Sequence, residues 1–435
     1  MFTITNSEYG LYYSQVLLFM ELYMAKHPTN QAPLPIFDTA AHTTHDAPLP
    51  VHYDTTKENY QQDYKAALAF LYSYKETIAT FNAYRREVER LLLWTWHIRK
   101  KHLLALKRVD IEEYLKFCQK PPKNWIGKKK VAHFIVANGE KVANPEWRPF
   151  VVTQPKTATR EGKELAIKDY QLSDKSFREI FAVLSSFYNF LIQENVTEIN
   201  PIMQIRQKSK YLRRTQGTKK IRRLSELQWS FVIETAEKLA EADKAHERTL
   251  FILSALYGMY LRVSELTASK RWLPKMNDFQ KDNDGNWWFT TVGKGNKERQ
   301  IAVSEAMLKA LKRWRHYRGL SPLPSPDDNT SIIPKERGSG PISSTNQIRN
   351  IVQYCFDEAV ARMREEGLEE ESMALKSATV HWLRHTGISD DVKFRPREHV
   401  RDDAGHSSSA ITDKYIDIEL RERHASARKK EIKSI

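Results

Sequence analysis

A chain of 435 residues is longer than one ordinary domain, and 18 Phe, 19 Tyr and 10 Trp supply apolar side chains for two or three cores. Its net charge of +15 is poorly explained by a purely structural scaffold and points to a polyanionic partner. The apolar run Val16–Met20 is too short to cross a bilayer and lacks a positively charged lead, and Cys118 and Cys355 read as buried thiols, so a soluble, cytoplasmic protein with no membrane partner is expected.

Residues 7–26 read as one short, very apolar helix stopped by Pro28. It either packs on its own protein or docks a partner, the first being the commoner use of an apolar helix. Five prolines between 28 and 56 mark a linker or an extended wrap. Residues 1–57 are expected to form an N-terminal helix and Pro-rich extension. Residues 58–205 are expected to form a helical domain, with Thr80 capping FNAYRREVERLLLWTWHIRK and Asp110 capping IEEYLKFCQ. An insertion at 120–172, with a hairpin around Asn138–Gly139, interrupts that domain, and helicity returns at 175–194.

Residues 206–223 are a basic linker in which nine of eighteen residues are Lys or Arg. Like charges stay extended unless an opposite charge gathers them, so the stretch reads as a solvated hinge or as a strap along phosphates, the second being favoured. Residues 1–60 carry six acidic residues against two lysines, which is −4 and leaves +19 for residues 61–435. The positive charge therefore belongs to the body of the chain.

A second domain is expected over 224–424, with 425–435 as a tail. Ser225 opens it with the capping box S-E-L-Q, followed by helices to about 241 and at 246–260. Trp287–Thr291 and Gln300–Val303 read as strands flanking a Gly293–Gly295 turn, and helices are expected at 304–317, 345–366 and 411–424. The stretch 318–344, rich in proline and glycine, reads as a surface loop.

This second domain carries the chemistry. Arg262 sits in LRVSEL, Lys294 in GKGNKER, His381 and Arg384 in HWLRHTG, His406 in GHSS, and Tyr415 nine residues after His406. Two arginines, a lysine and two histidines suit a phosphodiester whose charge grows under attack, and a tyrosine supplies a nucleophile that can hold the phosphate covalently. The glycines flanking Lys294 let a tight turn carry a cation at its tip, but the spacing is not that of a P-loop. His381 and His385 stand four apart, as in zinc-binding helices, yet the H-E-x-x-H glutamate is missing and Arg384 between them repels a metal. No metal site and no cofactor is expected, and His385 reads as a core or capping residue. Glu265, three residues after Arg262, taken alone reads as half of a surface ion pair, and beside the other motifs as a support for Arg262. Arg213, Arg214, Lys219, Lys220, Arg222, Arg223, Lys297 and Arg299 are the candidate contacts to a nucleic-acid backbone.

These motifs, in this order, resemble those of the tyrosine recombinases, the phage integrase family of site-specific DNA recombinases. The resemblance runs from about residue 58 to about 424 and is strongest over 250–416. Arg262, Lys294, His381, Arg384, His406 and Tyr415 match the family's catalytic positions, while TFNAYRREVERLLLWTW and LSSFYNFLIQE are similar to its core-binding helices. The resemblance implies a mainly α protein with a small β-sheet, built from a helical core-binding domain and an α+β catalytic domain. It implies cutting and rejoining of DNA through a 3′-phosphotyrosyl intermediate and a Holliday junction, by a homo-tetramer on double-stranded recombination sites. Integration or excision of a mobile element is the expected role, and an accessory or directionality protein is a further candidate partner. Type IB topoisomerase-like relaxation and a non-catalytic DNA-binding regulator are the alternatives. Departures are the segment SDDVKFRPREHVRDDA, polar where the family carries packed leucines, the insertion at 120–172, and the acidic N-terminal segment.

Overall fold

The computed structural model describes residues 32–153, 164–206, 222–293, 295–408, 411, 412 and 428. The chain divides into two compact units, Met1–Gly217 and Thr218–Ile435. Twelve α-helices and seven short strands occur among the described residues, a mainly α fold with small sheets.

The first unit is built on α1 (Glu58–Tyr72), α2 (Ile78–Trp94), α3 (Arg108–Gln119), α4 (Asp174–Gln193) and α5 (Met203–Arg206). Ser173 caps α4 by accepting the Ser176 N–H, and its apolar stripe buries Phe177, Ile180, Phe181, Leu184, Phe187 and Leu191. Full burial of such side chains stabilises by about 1.5–3 kcal/mol each. Thr80 lies inside α2, which starts after Thr77, and Asp110 is the third residue of α3, accepting the Lys107 N–H at 2.8 Å. Both expected caps are therefore displaced by about one turn.

Residues 32–57 are a wrap that contributes Ile36, Phe37, Leu49 and Tyr53 to this core. Buried Glu89 on α2 accepts the N–H groups of Ile36 and Phe37 at 2.7 and 3.0 Å, and its other oxygen meets His133 Nε2 at 2.9 Å. One carboxylate thus ties both the wrap and the insertion to the helices. The insertion pairs β1 (Ile126–Gly127) with β4 (Phe150–Val151), and β2 (Phe134–Ala137) with β3 (Glu140–Ala143). Asn138 and Gly139, at φ 53° and 83°, make the left-handed pair that a two-residue hairpin turn requires.

In the second unit, α6 (Glu226–Ala242) begins at the Ser225–Gln228 capping box, with reciprocal bonds of 3.2 and 3.0 Å. It is followed by α7 (Glu247–Gly258) and an antiparallel sheet in the order β5 (Phe279–Lys281), β6 (Trp287–Val292), β7 (Glu298–Ala302). Phe289 faces Ile301 and Thr291 faces Arg299, so these four side chains share the inner face. Next come α8 (Glu305–Tyr317), α9 (Thr345–Glu365), α10 (Glu369–Lys376), α11 (Val380–Asp391) and α12 (Arg397–Ala404). The stretch 318–344 is more than a surface loop, since it buries Ile332, Ile333 and Ile342, and Trp314 Nε1 donates to the Ile332 carbonyl at 2.9 Å. The helix expected at 411–424 lies outside the described residues except for Ile411 and Thr412.

Two glycines set the approach of the elements that matter here. A Cβ on Gly387 would lie 2.1 Å from the Tyr257 carbonyl oxygen, so α11 reaches α7 only without a side chain at that point. Gly405, at φ 62°, ends α12 and lies against Arg299.

Candidate active site

Arg262 leaves α7 through a tight bend at Tyr260, a buried residue held at φ 51°. Glu265 then turns back on it. One carboxylate oxygen accepts Arg262 Nη1 at 2.9 Å and Arg299 Nη1 at 2.7 Å. The other accepts the Arg262 backbone N–H and Arg299 Nη2, both at 2.8 Å. Four donors occupy the four lone-pair directions of a side chain only 1% exposed. Burial alone would raise its pKa, but Arg299 and Arg262 outweigh that and hold the carboxyl below its usual range. Glu265 is therefore a buried support, not half of a surface pair.

Arg299 was expected at a nucleic-acid backbone, and the structure corrects this. Strand alternation turns it inward beside Ile301, where it spends Nη1 and Nη2 on Glu265 and Nε on the Asp403 carbonyl at 2.9 Å. Lys297 does project into solvent, at the hairpin turn whose backbone closes from the Gly293 N–H to the Lys297 carbonyl at 2.8 Å. A Cβ on Gly293 would stand 3.0 Å from Arg299 Nη1, 3.2 Å from Glu265 Oε1 and 3.4 Å from Arg262 Nη1. The turn that carries position 294 thus starts against the Arg262 cluster. Lys294 itself lies outside the described residues, as do Tyr415 and Arg213, Arg214, Lys219 and Lys220.

Helix α11 brings His381, Arg384 and His385. Arg384 is 3% exposed and donates Nη1 to the Tyr260 carbonyl and Nη2 to the Ala404 carbonyl, the latter at 2.5 Å. His381 is on the exposed first turn, with its ring 4.4 Å from that of His385 in an edge-on contact. Gly405 hands the chain from α12 to His406, whose Nδ1 lies 2.9 Å from the Thr412 hydroxyl. Desolvation and then Arg384 and Arg262 lower the pKa of His381, and Arg222 adds to this. Desolvation, Arg384, Arg262 and Arg299 lower His406 to about 4, and desolvation with His381, Arg384, His406 and Arg222 lowers His385 to about 4. These rings are neutral at pH 7 inside a field of guanidinium charge. Arg222 is exposed yet close enough to act on His381 and His385, while Arg223 is half-buried and near Asp390, whose pKa burial raises against the pull of Tyr257, Lys393 and Arg223.

Sequence reasoning missed the groups behind these side chains. Asp391, Arg395 and Asp403 come from the polar segment SDDVKFRPREHVRDDA and form a bonded cluster with Tyr260. The signal was the placement of carboxylates and an arginine where apolar residues would be needed for packing.

The family model described as the phage integrase family matches residues 222–421, the span holding all six candidate catalytic residues. Tyrosine recombinase XerC of Leptospira interrogans is 26% identical over 271 residues, which is 60% of this chain and 76% of that protein. Tyrosine recombinase XerD of Rickettsia prowazekii is 31% identical over 153 residues, 34% of this chain and 44% of its own length. The crystal structure of XerH site-specific recombinase bound to palindromic difH substrate, a post-cleavage complex, aligns over 85% of this chain and 84% of its own, with a TM-score of 0.50 and 16% identity. That likeness is one of fold. Residues 222–421 are thus a phage integrase family domain, in a chain similar to the site-specific tyrosine recombinases XerC and XerD.

Proposed function

We propose that this protein cuts and rejoins DNA at a specific site through Tyr415, serving the integration or excision of a mobile element. The observation that carries the reading is a geometric convergence. Arg384 on α11 donates to the carbonyls of Tyr260 and Ala404, which stand two residues before Arg262 and His406 respectively. The hairpin turn of Lys294 starts against Arg262, since a Cβ on Gly293 would stand 3.4 Å from its Nη1. In keeping with this, desolvation and then the charges of Arg384 and Arg262 lower the pKa of both His381 and His406.

In this reading Arg262 and Arg384 bind the non-bridging oxygens of the scissile phosphate and stabilise the charge of the pentacoordinate state. The Tyr415 hydroxyl oxygen attacks phosphorus, the bond to the 5′ oxygen breaks, and Lys294 gives that oxygen a proton. Both imidazoles are neutral at pH 7 and so can accept a proton. A phosphate bound between the arginines offsets the guanidinium charge that lowers them, restoring the basicity with which His406 or His381 takes the tyrosine proton. The 3′-phosphotyrosyl bond keeps the energy of the broken phosphodiester, and a partner strand's 5′-hydroxyl reverses the step. Glu265 and Arg299 act behind Arg262. The basic stretch 206–223, with Lys297, follows the phosphate backbone. Four copies on two DNA sites exchange strands in two rounds through a Holliday junction. The mobile-element role is supported by the insertion at 120–172 and by the extra N-terminal segment.

The test uses a DNA site recovered by selection from a random-sequence pool and made as a panel of duplexes nicked at successive positions. The parent chain is expected to form a covalent adduct stable to denaturant, and Tyr415→Phe to bind the same duplex with no adduct. An adduct surviving Tyr415→Phe would remove that residue from its role.

A further inference from the structure

We propose that Arg395 is a positioning residue for strand cleavage: its guanidinium joins Asp391, the Tyr260 hydroxyl and Asp403 into a brace that fixes the carbonyls holding Arg384. This rests on the reading of Arg384 as a phosphate clamp.

The brace begins at Tyr260. A non-glycine residue in the left-handed region costs about 1 kcal/mol or more, and it persists only where surrounding contacts over-determine it. Here both ends of the residue are held by α11. Its carbonyl accepts Arg384 and its hydroxyl donates to Asp391, seven residues and two helical turns further along one face. Arg395 locks the second end, donating Nη1 to the Tyr260 hydroxyl at 2.9 Å and to Asp391 at 3.2 Å. Its Nη2 reaches Asp403 at 2.5 Å.

Asp403 extends the brace to the other half of the site. Its side chain is 8% exposed and also accepts the Ala302 N–H at 3.3 Å, fixing the end of α12 to β7. The last carbonyls of α12 have no partner within the helix and carry the negative end of its dipole. Two of them are taken by guanidinium donors: Asp403 by Arg299 at 2.9 Å and Ala404 by Arg384 at 2.5 Å. Arg395 bonds to Tyr260, Asp391 and Asp403, and so anchors the two residues that carry or adjoin the acceptors of Arg384 and the helix end that presents His406. Loss of its charge leaves two carboxylates without their counter-ion and frees α12 to shift against α11.

The experiment measures adduct formation at saturating nicked duplex, with DNA affinity determined separately for each variant of the full chain. Arg395→Met is expected to slow adduct formation by about ten- to a hundredfold, the effect of an ångström-scale misplacement, with affinity within about threefold of the parent. Arg395→Lys should recover part of the rate, since its ammonium reaches one carboxylate. Tyr260→Phe keeps both ion pairs, loses only the hydroxyl link, and should also slow the step. The proposal is overturned if Arg395→Met cleaves at the parent rate, or if its rate falls only in proportion to affinity. Should Arg395→Met fail to fold by circular dichroism, Tyr260→Phe decides, and an undiminished rate there overturns it equally. A parent chain that forms no adduct overturns the cleavage reading and this role with it, whereas an adduct indifferent to Arg395 removes this role alone.

Discussion

Glu265 shows how much of this site is settled by one buried carboxylate. Its two oxygens receive Arg262 twice and Arg299 twice, so a single side chain orients two guanidinium groups at once. Desolvation works against the charged form, but the four donors win, which is why the carboxyl stays ionised. Replacing it with an amide keeps the volume and removes the charge. Gln can accept through one oxygen only, and its NH2 group points donors at donors. Removing one partner of a buried ion pair costs about 3–5 kcal/mol, far more than the loss of a surface pair. Glu265→Gln is therefore expected to lower the urea unfolding free energy by about 3 kcal/mol and to slow adduct formation. A loss below about 0.5 kcal/mol, the surface-pair range, would show that the two arginines do not depend on it.

At the scale of elements, the site is assembled by close approaches of backbone rather than by large side chains. Gly387 is the clearest case, because two effects of opposite sign meet there. Alanine in a helix interior gains about 1 kcal/mol over glycine from propensity. A Cβ at 2.1 Å from the Tyr257 carbonyl must instead push α11 away from α7, and overpacking of this kind costs about 1–3 kcal/mol. The obstacle is backbone, which cannot rotate aside, so overpacking wins. Gly387→Ala is expected to lower the thermal midpoint and to slow adduct formation by about tenfold or more, since Arg384 rides on the same helix. A variant more stable than the parent would show that α11 has room to spare. The same elements show what was readable beforehand. The Ser225–Gln228 box is local chemistry within four residues and stood where the sequence put it. The inward side of Arg299 was also readable in principle, because 299 and 301 share a face in any strand, but the basic run GKGNKER drew the reading outward. Strand β5 is only three residues, too short for alternation to register. Helix α12 has a polar sequence whose stabilising partners, Tyr260 packed on Val400 and Ala404 and Arg299 on the Asp403 carbonyl, lie more than 100 positions away, so its own composition could not announce it.

For the whole molecule the governing quantity is charge and where it sits. Residues 61–435 carry +19, and nine of those charges lie within the eighteen residues 206–223. Some of the remaining cations are committed inside the fold: Arg299 to Glu265, Arg315 to Asp328, Arg395 to Asp391 and Asp403. Exposed Lys128, Lys130 and Lys297 are available to solvent ions, while Lys129 pairs with Glu146 at 3.3 Å. A partner that neutralises phosphates releases counterions, and each contact adds about −0.9 to the slope of log affinity against log salt on duplex DNA. With the basic stretch engaged, a slope steeper than about −4 is expected for the parent chain by fluorescence anisotropy on the selected duplex. Replacing Arg213, Arg214, Lys219 and Lys220 with glutamine removes at most four contacts, so the slope should become shallower by about 2 to 3.6. The covalent chemistry proposed for the second unit should survive at low salt. A parent slope shallower than about −2 would sink the idea of an extensive phosphate track. An unchanged slope in the quadruple variant would instead move that track away from residues 206–223 and onto the folded surfaces on either side.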